Sequence, residues 1–260
     1  MISERSSERA FVGLCGLLFA VSAVATIRWC SSMSAMGGMT MPGGWTMSMV
    51  WMRMPGQSWL RAAASFLGMW VVMMAAMMLP SLVPKLSRYR QAVYGTCLPH
   101  LGWLTAIVGA GYFLIWAAVG LTAFALGAAI GAVVMQWPAL APGVPIAAGV
   151  IVAIAGLLQV SAWKAHQLAR CREAPGCGVP ADAGTAWRQG LHLGLRCSVC
   201  CAGPTAILLS LGVMDLRAMT LVTMAVTAER LAPAGERIAR VIGSGLVVTG
   251  LLLIGRAAGF

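Results

Sequence analysis

Methionine and cysteine are the residues of this sequence whose type and spacing could do chemistry, because their sulfur atoms are soft donors that favour Cu(I) over Mg²⁺, Ca²⁺ or Mn²⁺. Thirteen of the 18 methionines lie between Met33 and Ser81. Glycines and prolines interrupt the first part of this stretch, which disfavours regular helix. The candidate metal ligands in that loop are Met33, Met36, Met39, Met41, Met47 and Met49. The candidates in the unbroken apolar segment that follows are Met69, Met73 and Met77.

The two methionine groups have different simplest interpretations. Methionines in an aqueous loop bury little surface, and a flexible backbone could bring three of the sulfurs of Met33, Met36, Met39 and Met41 onto one ion. We therefore predict that the loop captures a soft metal. On a helix, Met69, Met73 and Met77 lie at positions i, i+4 and i+8 and therefore share one face. Methionine is also a flexible packing residue, so packing is the simpler interpretation of the helical group.

A second sulfur cluster, C-x-x-C-C, is formed by Cys197, Cys200 and Cys201. Because positions i, i+3 and i+4 share a helix face, Cys197 can converge with either later cysteine and form part of a metal site. The neighbouring Arg196 would favour the thiolate form, which is the metal-binding form. Cysteine also buries well as a small apolar residue, so packing remains an alternative. A disulfide within one helical turn is geometrically poor, and the thiols elsewhere that could pair with the cluster are Cys171 and Cys177.

The remaining ionisable residues indicate structure more than catalysis. His192 and Arg196 lie near the predicted inner end of a span, where long side chains reach the interface. Glu229 and Arg230 are interpreted as a helix cap or as partners of Arg196. The sequence contains no Ser-His-Asp set, H-E-x-x-H motif or phosphate-cradling glycine loop. No catalytic residue is therefore predicted, and the chain is not expected to be a conventional hydrolase.

The composition excludes a water-soluble globule. The sequence is 60% hydrophobic and 10% charged, with a mean hydropathy of +0.85, whereas a soluble surface needs far more charge. We predict an all-α, polytopic membrane helix bundle in a single domain, 1–260, of about seven spans, or six if the first or last is not a full span. The predicted spans are about 10–27, 62–82, 101–126, 146–163, 187–214, 216–228 and 241–254, with an outer methionine-rich loop at 29–61.

The net charge of +11 is explained by membrane topology and does not indicate a nucleic-acid-binding surface. Lys and Arg occur in short clusters between the predicted spans, such as Lys85, Arg88 and Arg90. By the positive-inside rule these clusters are cytoplasmic, which puts the N-terminus inside and the methionine-rich loop outside, in the periplasm or extracellular space. The first apolar run has no A-x-A-like cleavage site, so we expect it to be a retained span and not a signal peptide.

Four sequence blocks resemble one known family. The segment Met69 to Ser81 resembles the signature M-W-x-x-M-x-x-A-M-M-x-P of a bacterial family of predicted metal-binding integral membrane proteins. The later blocks are Gln159 to Glu173, with its Cys-Arg pair, Gly194 to Met219, with C-x-x-C-C, and Glu229-Arg230. The resemblance covers about residues 30–235. It implies a metal-binding protein of the bacterial inner membrane, without a settled biochemical role.

Three functional hypotheses follow. The first is a Cu(I)-binding membrane protein that captures copper through the outer loop and holds it, transports it or delivers it to a partner membrane protein or copper enzyme. The second is a non-catalytic subunit or assembly factor, with methionines at an adaptable interface. The third is a copper-dependent membrane oxidoreductase, for which three histidines supply few imidazole ligands. The expected surroundings are the lipid bilayer, nucleic acid is not an expected partner, and the sequence does not specify the oligomeric state.

Overall fold

The chain is almost wholly helical in the residues that this computed structural model describes, which are 2–35, 39–40, 46–47, 51, 53, 56–93, 98–172 and 180–259. The predicted all-α fold is confirmed. The helices in these ranges are α1 Ile2–Ala35, α2 Trp59–Ala92, α3 Leu98–Gln136, α4 Gly143–Val160, α5 Ala162–Arg172, α6 Ala183–Cys200, α7 Ala202–Leu211, α8 Leu216–Leu231 and α9 Gly235–Ala257. A short 3₁₀ helix, Pro138–Leu140, precedes α4.

Two short strands lie between α1 and α2. They are β1, Met39–Thr40, and β2, Thr46–Met47, and they pair antiparallel with Met39 opposite Met47. Helix α1 continues to Ala35 and α2 begins at Trp59. The predicted loop at 29–61 is therefore helical at both of its ends.

Five of the described helices, α1, α2, α3, α4 and α9, are long and apolar enough to cross a membrane. A sixth crossing results if α6 and α7, which meet at an angle of 61°, are taken as one broken span. The segment predicted as a span at 216–228 belongs to α8, which has 16 residues. That is fewer than the roughly 20 residues needed to cross a bilayer. The described helices thus support five or six crossings, where the sequence predicted about seven.

The break between α6 and α7 has a local cause. Pro204 has no backbone N–H, so it cannot donate a hydrogen bond to the carbonyl of Cys200, four residues earlier. That carbonyl instead accepts a hydrogen bond from Lys164 Nζ at 2.8 Å. The apolar run 187–214, predicted as one span, is consequently two helices, and Cys201 lies at the bend.

Helix α2 is the most buried of the candidate spans. Of its 18-residue apolar stretch, 56% is buried inside the structure, against 11–33% for the other four helices. It packs against α1, α3 and α8. Trp70, which is fully buried, donates its indole N–H to the carbonyl of Trp116 on α3 at 2.9 Å. The methionine-bearing part of α2 therefore lies in the interior of the bundle.

Glycines allow two other helix pairs to approach closely. On α4, a Cβ atom at Gly156 would lie 2.7 Å from the backbone nitrogen of Val247 on α9. On α6, a Cβ atom at Gly190 would lie 2.4 Å from the carbonyl oxygen of Val108 on α3. The second of these contacts holds α6, which carries the cysteines, against α3.

Candidate metal centre

The methionines of α2 form one buried cluster. Met69, Met73 and Met77, predicted as ligands, are 6%, 1% and 4% exposed. Their neighbours Met74 and Met78 are also buried, and all five belong to the main hydrophobic core. We refer to these five residues as the α2 methionine cluster. Burial by itself agrees with packing, so the chemistry depends on which other donors reach the cluster.

The loop methionines lie mostly outside the described residues. Met33 is half-buried in the last turns of α1 and is not part of a loop. The backbones of Met39 and Met47 pair across the two short strands. The other predicted ligands, Met36, Met41 and Met49, are not among the described residues. Metal capture by this loop stays a prediction.

The three clustered cysteines are all buried but face two different neighbourhoods. Cys197 and Cys201 lie in the main core with the α2 methionine cluster. Cys200 lies in a separate cluster with Leu168 and Cys171 of α5. Of the two pairings that the sequence allowed, the structure brings Cys197 together with Cys201, four residues later, and turns Cys200 away.

Cys197 is in contact with a methionine of α2. Its Sγ lies 4.0 Å from Met78 Sδ and 2.8 Å from the hydroxyl of Tyr112. A metal–thiolate bond is about 2.3 Å long, so two sulfurs bound to one ion lie at most about 4.6 Å apart. The sulfurs of Cys197 and Met78 therefore already lie within the distance of two ligands of one ion. We refer to Cys197, Cys201 and Met78 as the sulfur site.

A buried cation faces both thiols of the sulfur site. Arg230 Nη2 lies 3.0 Å from Cys197 Sγ and 3.1 Å from Cys201 Sγ, and Nη1 donates to Ser81 Oγ at 3.1 Å. The sequence predicted Arg196 for this role, but Arg196 is exposed and its Nη1 donates to the carbonyl of Arg170 at 3.5 Å. The thiol-facing cation comes from α8, 33 residues after Cys197, which spacing within the C-x-x-C-C motif could not reveal.

The backbone next to Arg230 is held by a buried ion pair. Lys164 Nζ lies 2.9 Å from Glu229 Oε2, and these side chains are 3% and 2% exposed. Gln159 Nε2 donates to the other carboxylate oxygen of Glu229. Because Lys164 also donates to the carbonyl freed at the α6 break, this pair ties α5, α6 and α8 together around the sulfur site.

Arg172 fixes the end of the same helix. Its Nη2 donates to the carbonyl of Glu229 at 2.7 Å and to that of Ala232, at the C-terminus of α8. Basic side chains stabilise helix C-termini in this way because they satisfy the last carbonyls. The four sequence blocks of the resemblance thus meet in one place, and the block that contains Lys164 and Arg172 supports the one that contains Arg230.

A second sulfur pair lies elsewhere on the bundle. Cys30 Sγ of α1 lies 3.8 Å from Met214 Sδ, immediately before α8. Arg90 of α2 pairs with Glu8 of α1 at 3.4 Å. Helices α1 and α2 are antiparallel. Cys30 lies 22 residues after Glu8 on α1, and Gly68 lies 22 residues before Arg90 on α2, about 33 Å along each helix. Cys30 is therefore level with Gly68, next to Met69. The Cys30–Met214 pair therefore lies at the Met69 end of the α2 methionine cluster, and the sulfur site lies at its Met78 end.

Histidine and carboxylate ligands do not replace these sulfurs in the described part of the chain. There, no group of three or more His, Cys, Asp or Glu side chains is arranged to hold a metal ion. Methionine sulfurs are the donors that could complete a site begun by the cysteine pair Cys197 and Cys201. That composition selects a soft ion and disfavours the hard cations that bind oxygen.

Comparison with known families agrees with this donor chemistry. A model of the PpoB2 family, described as a copper chaperone, matches residues 67–253. The chain belongs to that family. The match contains the α2 methionine cluster, the three clustered cysteines and Arg230, whereas Cys30 and the loop methionines lie before it. The family match begins at residue 67, whereas the resemblance seen in the sequence begins near residue 30. No curated protein and no solved structure matches the chain.

Proposed function

We propose that this protein is a membrane-embedded Cu(I) chaperone, which holds copper as cargo at the sulfur site and delivers it to a partner protein. The donor set supports the oxidation state. Two thiolates and one thioether are soft ligands, and soft ligands select Cu(I). Membership of a copper chaperone family supports copper over other soft ions.

The charge of the site supports binding as thiolates. When Cu(I) replaces the protons of Cys197 and Cys201, two protons leave and the metal with its two thiolates carries a net charge of −1. Arg230 lies within 3.1 Å of both sulfurs and carries +1. An uncompensated charge in an apolar interior is costly, so the neutral sum stabilises the loaded site.

The arrangement of sulfurs supports a direction of movement. The Cys30–Met214 pair and the sulfur site are separated along α2 by the methionine cluster, whose first and last members are about 13 Å apart along the helix axis. In the positive-inside topology the Met69 end is outer and the Met78 end, followed by Lys85, Arg88 and Arg90, is inner. Copper captured outside would move from the Met69 end toward the sulfur site.

One observation carries the proposal: Cys197 Sγ is in contact with a thioether at 4.0 Å and with a guanidinium at 3.0 Å. Packing alone accounts for a buried cysteine and a buried methionine. It does not account for an arginine that is 7% exposed and directed at two thiols. A buried cation needs a partner, and a copper thiolate complex is one.

The test is an anaerobic Cu(I) titration of the purified protein in detergent, with the bound copper counted by elemental analysis. We expect the triple variant Cys197→Ser, Cys201→Ser and Met78→Leu to bind one Cu(I) fewer than the wild type. Cys200→Ser is the matched control, because Cys200 has the same residue type and helix but faces α5. An unchanged copper count in the triple variant would overturn the proposal.

The role of the loop is tested separately by replacing Met33, Met36, Met39 and Met41 with leucine. Capture by the loop predicts slower copper uptake into sealed vesicles that contain the protein. The final count at the sulfur site should stay the same, because that site is formed by other residues. Uptake at the wild-type rate would remove the loop from the proposal and leave the sulfur site untouched.

A further inference from the structure

A cavity of about 380 Å³ lies between α2, α3, α5 and α6. Its wall contains five basic side chains, which are Lys85, Arg88, Arg170, His192 and Arg196. No Asp or Glu is among the described residues that line it. Arginine is charged at neutral pH, so Arg88, Arg170 and Arg196 place at least three positive charges around one cavity without a carboxylate in its described lining.

A buried hydroxyl without a partner also belongs to this wall. Tyr89 lines the cavity and is 2% exposed, and within the described residues its OH makes no hydrogen bond. Buried polar groups are nearly always paired, because an unmade hydrogen bond costs about 1–3 kcal/mol. Asp182, at the start of α6, acts electrostatically on Tyr89 but is fully exposed to solvent. The hydroxyl is therefore a polar group that a bound molecule could satisfy, and the amide of Gln189 also lines the cavity.

We propose that this cavity binds a phosphate-type anion. Arginine side chains donate in pairs to phosphate oxygens, and lysine adds a point charge. The volume is at the small end of ligand pockets, which suits a headgroup or a small phosphate compound but not a large nucleotide. The described wall of the cavity contains none of Cys197, Cys201 and Met78, so it is a different site from the sulfur site.

The location favours an anionic lipid headgroup as the source of the phosphate. Basic pockets between membrane helices on the cytoplasmic side are known to hold such headgroups. Trp163 at the start of α5 and Trp187 near the start of α6 are 45% and 39% exposed. Exposed tryptophans mark the level of lipid headgroups. Trp187 lies within two helical turns of the cavity residues Gln189 and His192 on α6, so the cavity is near the level of Trp187.

The experiment measures thermal unfolding of the full-length protein in nanodiscs of phosphatidylcholine, with and without phosphatidylglycerol, and in detergent with inorganic phosphate. We expect phosphatidylglycerol to raise the unfolding temperature of the wild type. The double variant Arg88→Gln and Arg170→Gln should lose that increase. The matched control Arg61→Gln and Arg217→Gln removes the same charge from exposed positions outside the cavity, and it should keep the increase.

Each outcome decides the proposal. A response to inorganic phosphate alone, lost in the double variant, supports the phosphate site and assigns it to a soluble compound. A response to phosphatidylglycerol assigns it to lipid. Tyr89→Phe keeps the packing of the ring and removes only the hydroxyl, so it should weaken the response without lowering stability in phosphatidylcholine. No response to either probe, or equal losses in the double variant and the control, would overturn the proposal.

Discussion

Arg230 Nη2 lies 3.0 Å from Cys197 Sγ, which joins the last turn of α8 to the last turn of α6 in the interior of the bundle. In the described residues this guanidinium forms no ion pair with a carboxylate, and its hydrogen-bond acceptors are two thiols, a hydroxyl and a carbonyl. A cation so placed would stabilise a metal bound by both thiolates, because the bound complex carries a net negative charge.

The first prediction concerns this contact. Replacing Arg230 with leucine should weaken Cu(I) binding by roughly 10- to 100-fold, since a hydrogen bond to a charged group contributes about 1.5–3 kcal/mol. Competition with a chromophoric Cu(I) chelator measures the affinity. Arg217→Leu, at an exposed position on the same helix, is the control and should bind copper like the wild type. Equal affinities for Arg230→Leu and Arg217→Leu would show that the guanidinium only packs.

The second prediction concerns the buried pair that holds α8. Glu229→Gln leaves Lys164 buried without a charge partner, and breaking such a pair costs about 3–5 kcal/mol. The matched control is Glu236→Gln, because the Glu236–Arg240 pair is 3.9 Å apart and its side chains are 51% and 61% exposed. An exposed pair contributes about 1 kcal/mol or less. Denaturation followed by tryptophan fluorescence in detergent compares the two, and equal losses of stability would contradict the buried pair's role.

Local patterns in the sequence were sufficient for the helices and for the donor type. Long apolar runs predict spans, and the i, i+4, i+8 spacing predicts that Met69, Met73 and Met77 share a face, which the structure buries. The break at Cys201 also had a local signal. Pro204 removes one helical hydrogen bond, whereas the continuous apolar character of 187–214 by itself predicts one unbroken span.

The assembled site could not be derived in the same way, because it depends on contacts between distant segments. Only the packing of α5, α6 and α8 determines that Cys197 pairs with Cys201 while Cys200 turns toward Cys171. Helical spacing allowed both choices. Arg230 was interpreted from the sequence as part of a helix cap or as a partner of Arg196, because its contact with Cys197 joins residues 33 positions apart. The family resemblance included these residues in its sequence blocks, but it gave no information on which of them are in contact.

The third prediction concerns the approach of α6 to α3. A methyl group at Gly190 would lie 2.4 Å from the carbonyl oxygen of Val108, so Gly190→Ala must push the two backbones apart. Overpacking of this kind costs about 1–3 kcal/mol. Gly109→Ala on α3 is the control, since a Cβ there meets nothing within 4 Å and alanine favours helix. We expect a lower unfolding temperature for Gly190→Ala only, and weaker copper binding because Tyr112 and Cys197 separate.

The fourth prediction concerns the Cys30–Met214 pair, whose sulfurs lie 3.8 Å apart, within the limit for two ligands of one ion. If the pair is the outer station of the route, the variant Cys30→Ser with Met214→Leu should slow the loading of the sulfur site from outside. The affinity of the sulfur site, measured at equilibrium, should not change, because its ligands lie on α2, on α6 and at the bend after α6. Stopped-flow uptake into vesicles gives the rate, and chelator competition gives the affinity.

Cys15→Ser is the matched control for that experiment, since Cys15 is also a buried cysteine of α1 but lies about 22 Å further along the helix from Cys30. It should load copper at the wild-type rate. If the Cys30→Ser and Met214→Leu variant also loads at that rate, copper reaches the sulfur site by another path and the pair is a packing contact. If instead both rate and affinity fall, copper binding at the two ends of the α2 methionine cluster is energetically coupled.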